Sequence, residues 1–165
     1  MIKYSIVIPT YQHCDDLLKP CLESIKKYTD LSDVEVLVVA NGCTDNTKEY
    51  VESLGESFKL VWFDEAIGYT KATNEGIKAS KGSYCVLLNN DTVLLDQEKN
   101  MWLKMLEEPF LKDPKTGITG PMLVHCPYAN RQFLIFFCAM IKRELLEELA
   151  YYEEIKDEEL VCQKE

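Results

Sequence analysis

The chain has 165 residues, 47% of them apolar and 28% charged, and a formal net charge of −10. This is the composition of an ordinary single globular domain, with a core large enough to need no disulfide staples. The acidic balance argues against nucleic acid and anionic membranes as partners, and no apolar run approaches the roughly 20 residues of a membrane span.

The first residues, MIKYSIVIPTYQ, lead directly into a strand-like segment without a signal-peptide core and cleavage site, so a cytoplasmic, soluble protein is expected. Tyr4–Pro9 is a short β-branched apolar run, predicted as the first strand. Asp15–Tyr28 carries Leu17, Leu18, Cys21, Leu22 and Ile25 on one helical stripe, with Asp15 and Asp16 suited to the positive end of that helix. Glu35–Val39 is the second strand. Thr44 or Asp45 caps a helix running to about Leu54. Phe58–Phe63 is the third strand, Tyr69–Ser80 a helix stopped by Lys81-Gly82, and Tyr84–Leu88 the fourth strand. A helix is predicted over Asp96–Glu108, ended by Pro109. Strands follow at Ile118–Val124 and Phe133–Ile141, then a helix over Lys142–Tyr152.

Seven cysteines, none spaced C-x-x-C, fit neither a zinc site nor a secreted disulfide framework. Cys85 and Cys138 lie in apolar runs and read as buried thiols. The charge is uneven: residues Glu144–Glu165 carry a net −7 and the first 143 residues −3. An acidic protein that binds a diphosphate must neutralise it locally, with a metal ion or backbone N–H groups.

Four βα units in succession, with strands apolar on both faces, predict a doubly wound, Rossmann-like α/β fold: a mostly parallel sheet with helices on both faces. Ligands of such sheets bind beyond the carboxyl ends of the strands, where strand order reverses. The candidates are therefore Thr10-Tyr11-Gln12, Asn41-Gly42, Asp64-Glu65 and Asn89-Asn90-Asp91. No phosphate loop of the G-x-x-x-x-G-K-[ST] type, no G-x-G-x-x-G dinucleotide fingerprint and no G-x-S-x-G nucleophile elbow is present. What remains is acidic and amide chemistry at strand ends. Asp91, delivered there by a buried strand, can hold Mg²⁺ or Mn²⁺, which typically takes one or two carboxylates plus substrate phosphates. The same tetrapeptide also suits a plain strand-ending turn.

Four segments carry a resemblance: SIVIPTYQ at Ser5–Gln12, VEVLVVANGCTDNT at Val34–Thr47, IGYTKATNEGIKASKGSY at Ile67–Tyr84 and VLLNNDTVLL at Val86–Leu95. In this order and spacing, over about the first 95 residues, the chain resembles the family 2 glycosyltransferases of the GT-A fold. The LLNNDT wording is similar to the rhamnosyltransferase-like branch and, more faintly, to the N-terminal domain of a large chlorella-virus glycosyltransferase. The resemblance implies a metal-dependent, inverting transfer of a sugar from a UDP or dTDP donor, glucose or rhamnose, to a hydroxyl acceptor such as a glycan. It implies that Pro9, Thr10 and Tyr11 line the nucleoside pocket and that Asn41 reads the pyrimidine, its side-chain oxygen accepting the base N3–H. Gly68 would let backbone approach the nucleotide. Lys71 would lie nearby, or be a solvated surface lysine; Asn74 would bind backbone at the cleft, or be a helix-surface amide. Asn90 would face the ribose, and Asp91 would hold the metal.

The chain departs from the family pattern in three places. Ala40 stands where many relatives have Asp, Ala66 where Asn precedes the Gly, and Asn89 where a first Asp is common, which leaves Asp91 alone for the metal. Phe137–Leu149 resembles the run-up to the family's catalytic acidic pair. Asp157 and Glu158, in Asp157-Glu158-Glu159, are then the candidate base, Glu158 first, against the alternative of a solvated acidic tail. His13 and His125 read as structural or surface residues. One domain over 1–165 is expected, with a nucleotide-binding part at 1–95 and an acceptor and catalytic part at 96–165. Since relatives continue further, it would be the N-terminal domain of something longer. A nucleotide-sugar-binding module without its own base is the alternative reading.

Overall fold

The structure, a computed structural model, describes residues 1–126 and 131–149. Each of the first four predicted strands forms within two residues of the expected bounds: β1 (Tyr4–Thr10), β2 (Val34–Asn41), β3 (Phe58–Phe63) and β4 (Tyr84–Leu88). They are followed by β5 (Ile118–Thr119), β6 (Leu123–Cys126), β7 (Arg131–Leu134) and β8 (Cys138–Lys142). The helices are α1 (Lys19–Tyr28), α2 (Thr47–Ser53), α3 (Tyr69–Ala79) and α4 (Met101–Lys112), and residues 143–149 are also helical.

Six strands form one sheet in the order β3-β2-β1-β4-β8-β5. β1, β2, β3 and β4 run parallel, while β8 is antiparallel to both of its neighbours. The chain winds outward from β1 to β3, then returns to place β4 on the other side of β1. Strand order therefore reverses at β1 and β4, and their carboxyl ends open the crevice that such sheets use for ligands.

The period-2 alternation of a strand sorts the buried residues into two cores. Ile6, Ile8, Val36, Val38, Val86 and Leu88 face one side, against Leu22 and Ile25 of α1 and Trp102, Leu103 and Phe110 of α4. Val7, Leu37, Val39, Cys85 and Leu87 face the other, against Ala72 of α3. Burial on both faces is why these strands read as continuous apolar runs. One carboxylate is enclosed among them. Glu35 of β2 is 1% exposed and accepts bonds from Ser5 Oγ and Lys81 N–H, both at 2.6 Å, and from Lys59. Burial pushes its carboxyl up, but Lys59, Ser5 and the Lys81 N–H outweigh that and hold it below its usual value.

Four predicted elements differ. The helix expected over Asp96–Glu108 begins at Met101 and passes through Pro109 to Lys112. Pro109 cannot donate to the carbonyl of Met105, but both residues lie on the exposed side of the helix, where water can take that carbonyl. The buried stripe that continues to Phe110 outweighs the break. The strand expected over Ile118–Val124 divides into β5 and β6 around Gly120-Pro121, and that over Phe133–Ile141 divides into β7 and β8 around a turn at Phe136-Phe137. β6 and β7 pair with each other in a separate two-stranded sheet. The first predicted helix also opens differently, as a π-helical turn over Cys14–Leu18 in which Leu17 N–H and Leu18 N–H both reach His13 O.

Asp45 rather than Thr44 organises the start of α2. Its carboxylate accepts Thr47 Oγ1 (2.6 Å) and Thr47 N–H (3.3 Å), and its other oxygen accepts Cys14 N–H (2.9 Å). One side chain thus ties the β1 and β2 loops together at their helix starts. Gly42 sets the path of the β2 loop. It has φ +76°, and a Cβ there would lie 2.5 Å from Ala66 N. Gly42→Ala is therefore expected to cost about 2–4 kcal/mol from backbone strain and overpacking, read as a lower urea midpoint at unchanged slope.

Candidate functional site

The carboxyl ends of β1, β2 and β4 enclose a cleft of about 250 Å³ lined by Pro9, Thr10, Tyr11, Leu17, Asn41, Tyr69, Asn89, Asn90 and Asp91. A larger hollow of about 580 Å³ lies beside α1, but Lys26, Lys27 and Glu23 on its wall converge on no strand end. The strand-end cleft is the candidate site because its polar groups converge.

A chain of hydrogen bonds shapes it. Asn90 Nδ2 donates to Thr10 Oγ1 (2.9 Å), joining the β4 end to the β1 end. Tyr69 OH donates to Asn89 Oδ1 (3.1 Å), joining the start of α3 to the β4 end. Ile67 N–H donates to Asn41 Oδ1 (2.7 Å), joining the loop before α3 to the end of β2. The segment Ile67–Tyr69 is therefore tied at both ends across the mouth of the cleft. Gly68 within it has φ +87° and ψ 155°, a region essentially reserved to glycine.

The β1 loop is held by Gln12. Gln12 and His13 both take left-handed backbone conformations, φ +55° and +59°. The Gln12 side chain spans to the β2 loop, donating to Thr44 Oγ1 (3.1 Å) and accepting Thr44 N–H (3.2 Å). Two non-glycine residues in that region are costly and persist because the surrounding bonds over-determine them.

Seven sequence-predicted residues meet in the cleft: Pro9, Thr10, Tyr11, Asn41, Asn89, Asn90 and Asp91. Thr10 and Asn41 are 3% and 8% exposed, so few of their polar atoms remain open to a ligand. The Asn41 oxygen assigned in sequence to the base N3–H is engaged on Ile67. Gly68, Lys71 and Asn74 do not line the cleft; Lys71 and Asn74 are exposed on α3. His13 is a surface residue beside Asp16 at 3.0 Å. The side chain of His125, and Asp157, Glu158 and Glu159, lie outside the described residues. Sequence reasoning missed Leu17 and Tyr69. The signal for Tyr69 was its place right after Gly68, at a helix start facing the strand ends.

The donor set suits a hard cation. Asp91 is exposed, supplies the cleft's carboxylate, and makes no ion pair among the described residues. Asn89, whose Oδ1 accepts Tyr69 OH, and Asn90 line the same cleft. Cys21 lies close enough to feel the Asp91 charge, but burial first, and that charge second, push its thiol up to about 12. Cys21 does not line the cleft. Among the described residues, no three His, Cys, Asp or Glu side chains form a ready-made metal cluster. One carboxylate plus amide oxygens fits Mg²⁺ or Mn²⁺ completing its shell with substrate phosphates and water.

The strand order and the cleft beyond its carboxyl ends define an α/β domain of the GT-A type. The sequence model of "Glycosyl transferase family 2" matches residues 5–125, and the chain belongs to that family. Over 91 residues it is 34% identical to the glycosyltransferase AglE of Haloferax volcanii, covering 53% of this chain and 30% of that protein. Over 89 residues it is 33% identical to a poly-beta-1,6-N-acetyl-D-glucosamine synthase of Staphylococcus aureus, covering 52% of this chain and 21% of the synthase. The matched region is thus under a third of either relative's length. Among solved structures it is similar to S. aureus TarS 1-349 in complex with UDP-GlcNAc, with a TM-score of 0.68 and 19% identity over 90% of this chain and 48% of that one. It is also similar to the mannosyltransferase PcManGT of Pyrobaculum calidifontis in complex with GDP-Man and Mn²⁺, with a TM-score of 0.69 and 22% identity over 89% of this chain and 46% of that one. At these identities the structural likeness establishes the fold alone. No helix among the described residues is long and apolar enough to cross a membrane.

Proposed function

We propose that this domain is the nucleotide-sugar-binding core of a metal-dependent, inverting glycosyltransferase that moves a sugar from a UDP or dTDP donor to a hydroxyl acceptor, with a glycan the leading candidate. The observation that carries the reading is the convergence of Thr10, Asn41, Asn90 and Asp91 at the strand-order reversal of a family 2 domain. The UDP-GlcNAc and the GDP-Man with Mn²⁺ in the two similar structures support a nucleotide sugar and a divalent ion. Glucose and rhamnose are the sugars we favour, rhamnose from the LLNNDT wording and its likeness to the rhamnosyltransferase-like and viral proteins. A cytoplasmic location accords with this donor class.

Pro9, Thr10 and Tyr11 form the floor and wall of the nucleoside pocket, Asn90 faces the ribose, and Asp91 with its neighbouring amides would hold Mn²⁺ or Mg²⁺. When bound, the ion supplies positive charge to the leaving diphosphate. Gly68 and Lys71 act from the loop and the first turn of α3, where a lysine can reach toward phosphate. Residues 1–95 serve the nucleotide, and residues 96–165 the acceptor and the chemistry. There Glu158, with Asp157 beside it, takes the proton of the attacking hydroxyl. A second reading has support from the lengths of the relatives: a nucleotide-sugar-binding module that depends on a longer polypeptide for its base.

The test is a donor panel. UDP, dTDP, GDP and ADP sugars are offered with Mn²⁺, and both binding and release of the nucleoside diphosphate are measured. Binding of UDP or dTDP sugars with release on addition of acceptor is expected. Binding without release favours the module, and preference for a purine nucleotide overturns the donor assignment.

A further inference from the structure

Asp91 sits in a four-residue turn, Asn89-Asn90-Asp91-Thr92, closed by Thr92 N–H donating to Asn89 O at 3.2 Å. The turn lies past the end of β4, so the sheet ladder does not set its shape. Three ties do, each from a different part of the chain. Asn89 N–H donates to Phe137 O at 2.9 Å, just before β8. Asn90 Nδ2 donates to Thr10 Oγ1 at 2.9 Å, at the end of β1. Tyr69 OH donates to Asn89 Oδ1 at 3.1 Å, from the first residue of α3.

The third tie differs from the other two. Thr10 is buried within the sheet and Phe137 contributes backbone, whereas the Tyr69 side chain is 56% exposed and lines the cleft. A ring left that open adds little to the core. Its hydroxyl has one partner among the described residues, Asn89. The same residue ends the Ile67–Tyr69 strap, whose other end is held by Ile67 N–H on Asn41. One hydroxyl thus joins the strap to the turn that carries Asp91.

We propose that Tyr69 is a positioning residue for the ion site: its hydroxyl holds Asn89, and through Asn89 it fixes the turn that presents the Asp91 carboxylate to the cleft. This rests on the proposed function, in which Asp91 holds the divalent ion. The physical reason is preorganisation. A carboxylate on a loose turn gives up the turn's conformational freedom when the ion binds, and that loss weakens binding. On a pinned turn the freedom was already lost in folding, so the ion meets a set ligand.

Tyr69→Phe tests this, since it keeps the ring and removes the hydroxyl. UDP is titrated calorimetrically with and without Mn²⁺, and the ratio of the two affinities is the readout. We expect that ratio to fall at least about fivefold, somewhat short of the 10–100-fold typical when a ligand's own orienting partner is lost, because the Phe137 and Thr10 ties remain. A smaller fall overturns the proposal. So does an equal loss of UDP affinity with and without Mn²⁺, which would put the hydroxyl on the nucleotide or the fold. Amide exchange in the ligand-free protein is the second measurement: Thr92 N–H, which closes the turn, should exchange at least about fivefold faster in the variant. Unchanged exchange at Thr92 overturns the proposal even if the Mn²⁺ ratio falls, since Tyr69 would then act without the turn. If the parent itself gains no UDP affinity from Mn²⁺, the metal part of the proposed function falls and this assignment with it, an outcome distinct from a parent and a variant that gain equally.

Discussion

Asp91→Ala is expected to remove the increase in UDP affinity that Mn²⁺ brings, while the unfolding transition stays where it is. Both halves follow from placement. Asp91 follows β4 in an exposed turn, and no salt bridge or side-chain hydrogen bond among the described residues depends on its carboxylate, so little folding energy rests on it. It is also the carboxylate lining the cleft, since Asn89 stands where a second could have shared the charge. Loss of a group that merely orients a ligand typically costs 10–100-fold in metal affinity; loss of the ligand itself should exceed that. Calorimetric titration with and without Mn²⁺ measures the increment directly. A variant with the parent's Mn²⁺ dependence shows that the ion is held elsewhere.

Glu158→Gln should leave donor binding unchanged and lower sugar transfer by roughly 10²–10⁴, the usual worth of a general base. The substitution keeps the shape of the side chain and removes its ability to take a proton. Asp157→Asn and Glu159→Gln are the controls, expected to have smaller effects. Parental transfer rates in all three variants would move the base to another polypeptide segment or a partner, and the module reading would replace the enzyme reading. UDP binding measured on the same samples separates this outcome from damage to the nucleotide site.

The central strands and the cleft's main residues were legible in the sequence because each depends on a local pattern. β1, β2 and β4 are buried on both faces, so they appear as unbroken apolar runs, and the polar residues after them, Thr10, Asn41 and Asn89-Asn90-Asp91, mark the strand ends. Four βα units then imply parallel order, and parallel order puts those ends on one edge of the sheet. Other features depend on partners distant in sequence. Pro109 stays within α4 because Phe110 and Leu106 find a core to fill, which no helix-breaking rule anticipates. Ile118–Val124 and Phe133–Ile141 each serve two sheets, since β5 and β8 pair in one and β6 with β7 in the other; an apolar run does not say where its pairing changes. Tyr69 joins the cleft only because α3 starts beside the β4 end. The tie between Asn41 and the loop before α3 is one bond between residues 26 positions apart. Residue type establishes that an amide offers both a donor and an acceptor, and only the tertiary structure decides that the acceptor also holds the loop before α3, because that backbone comes to lie against it.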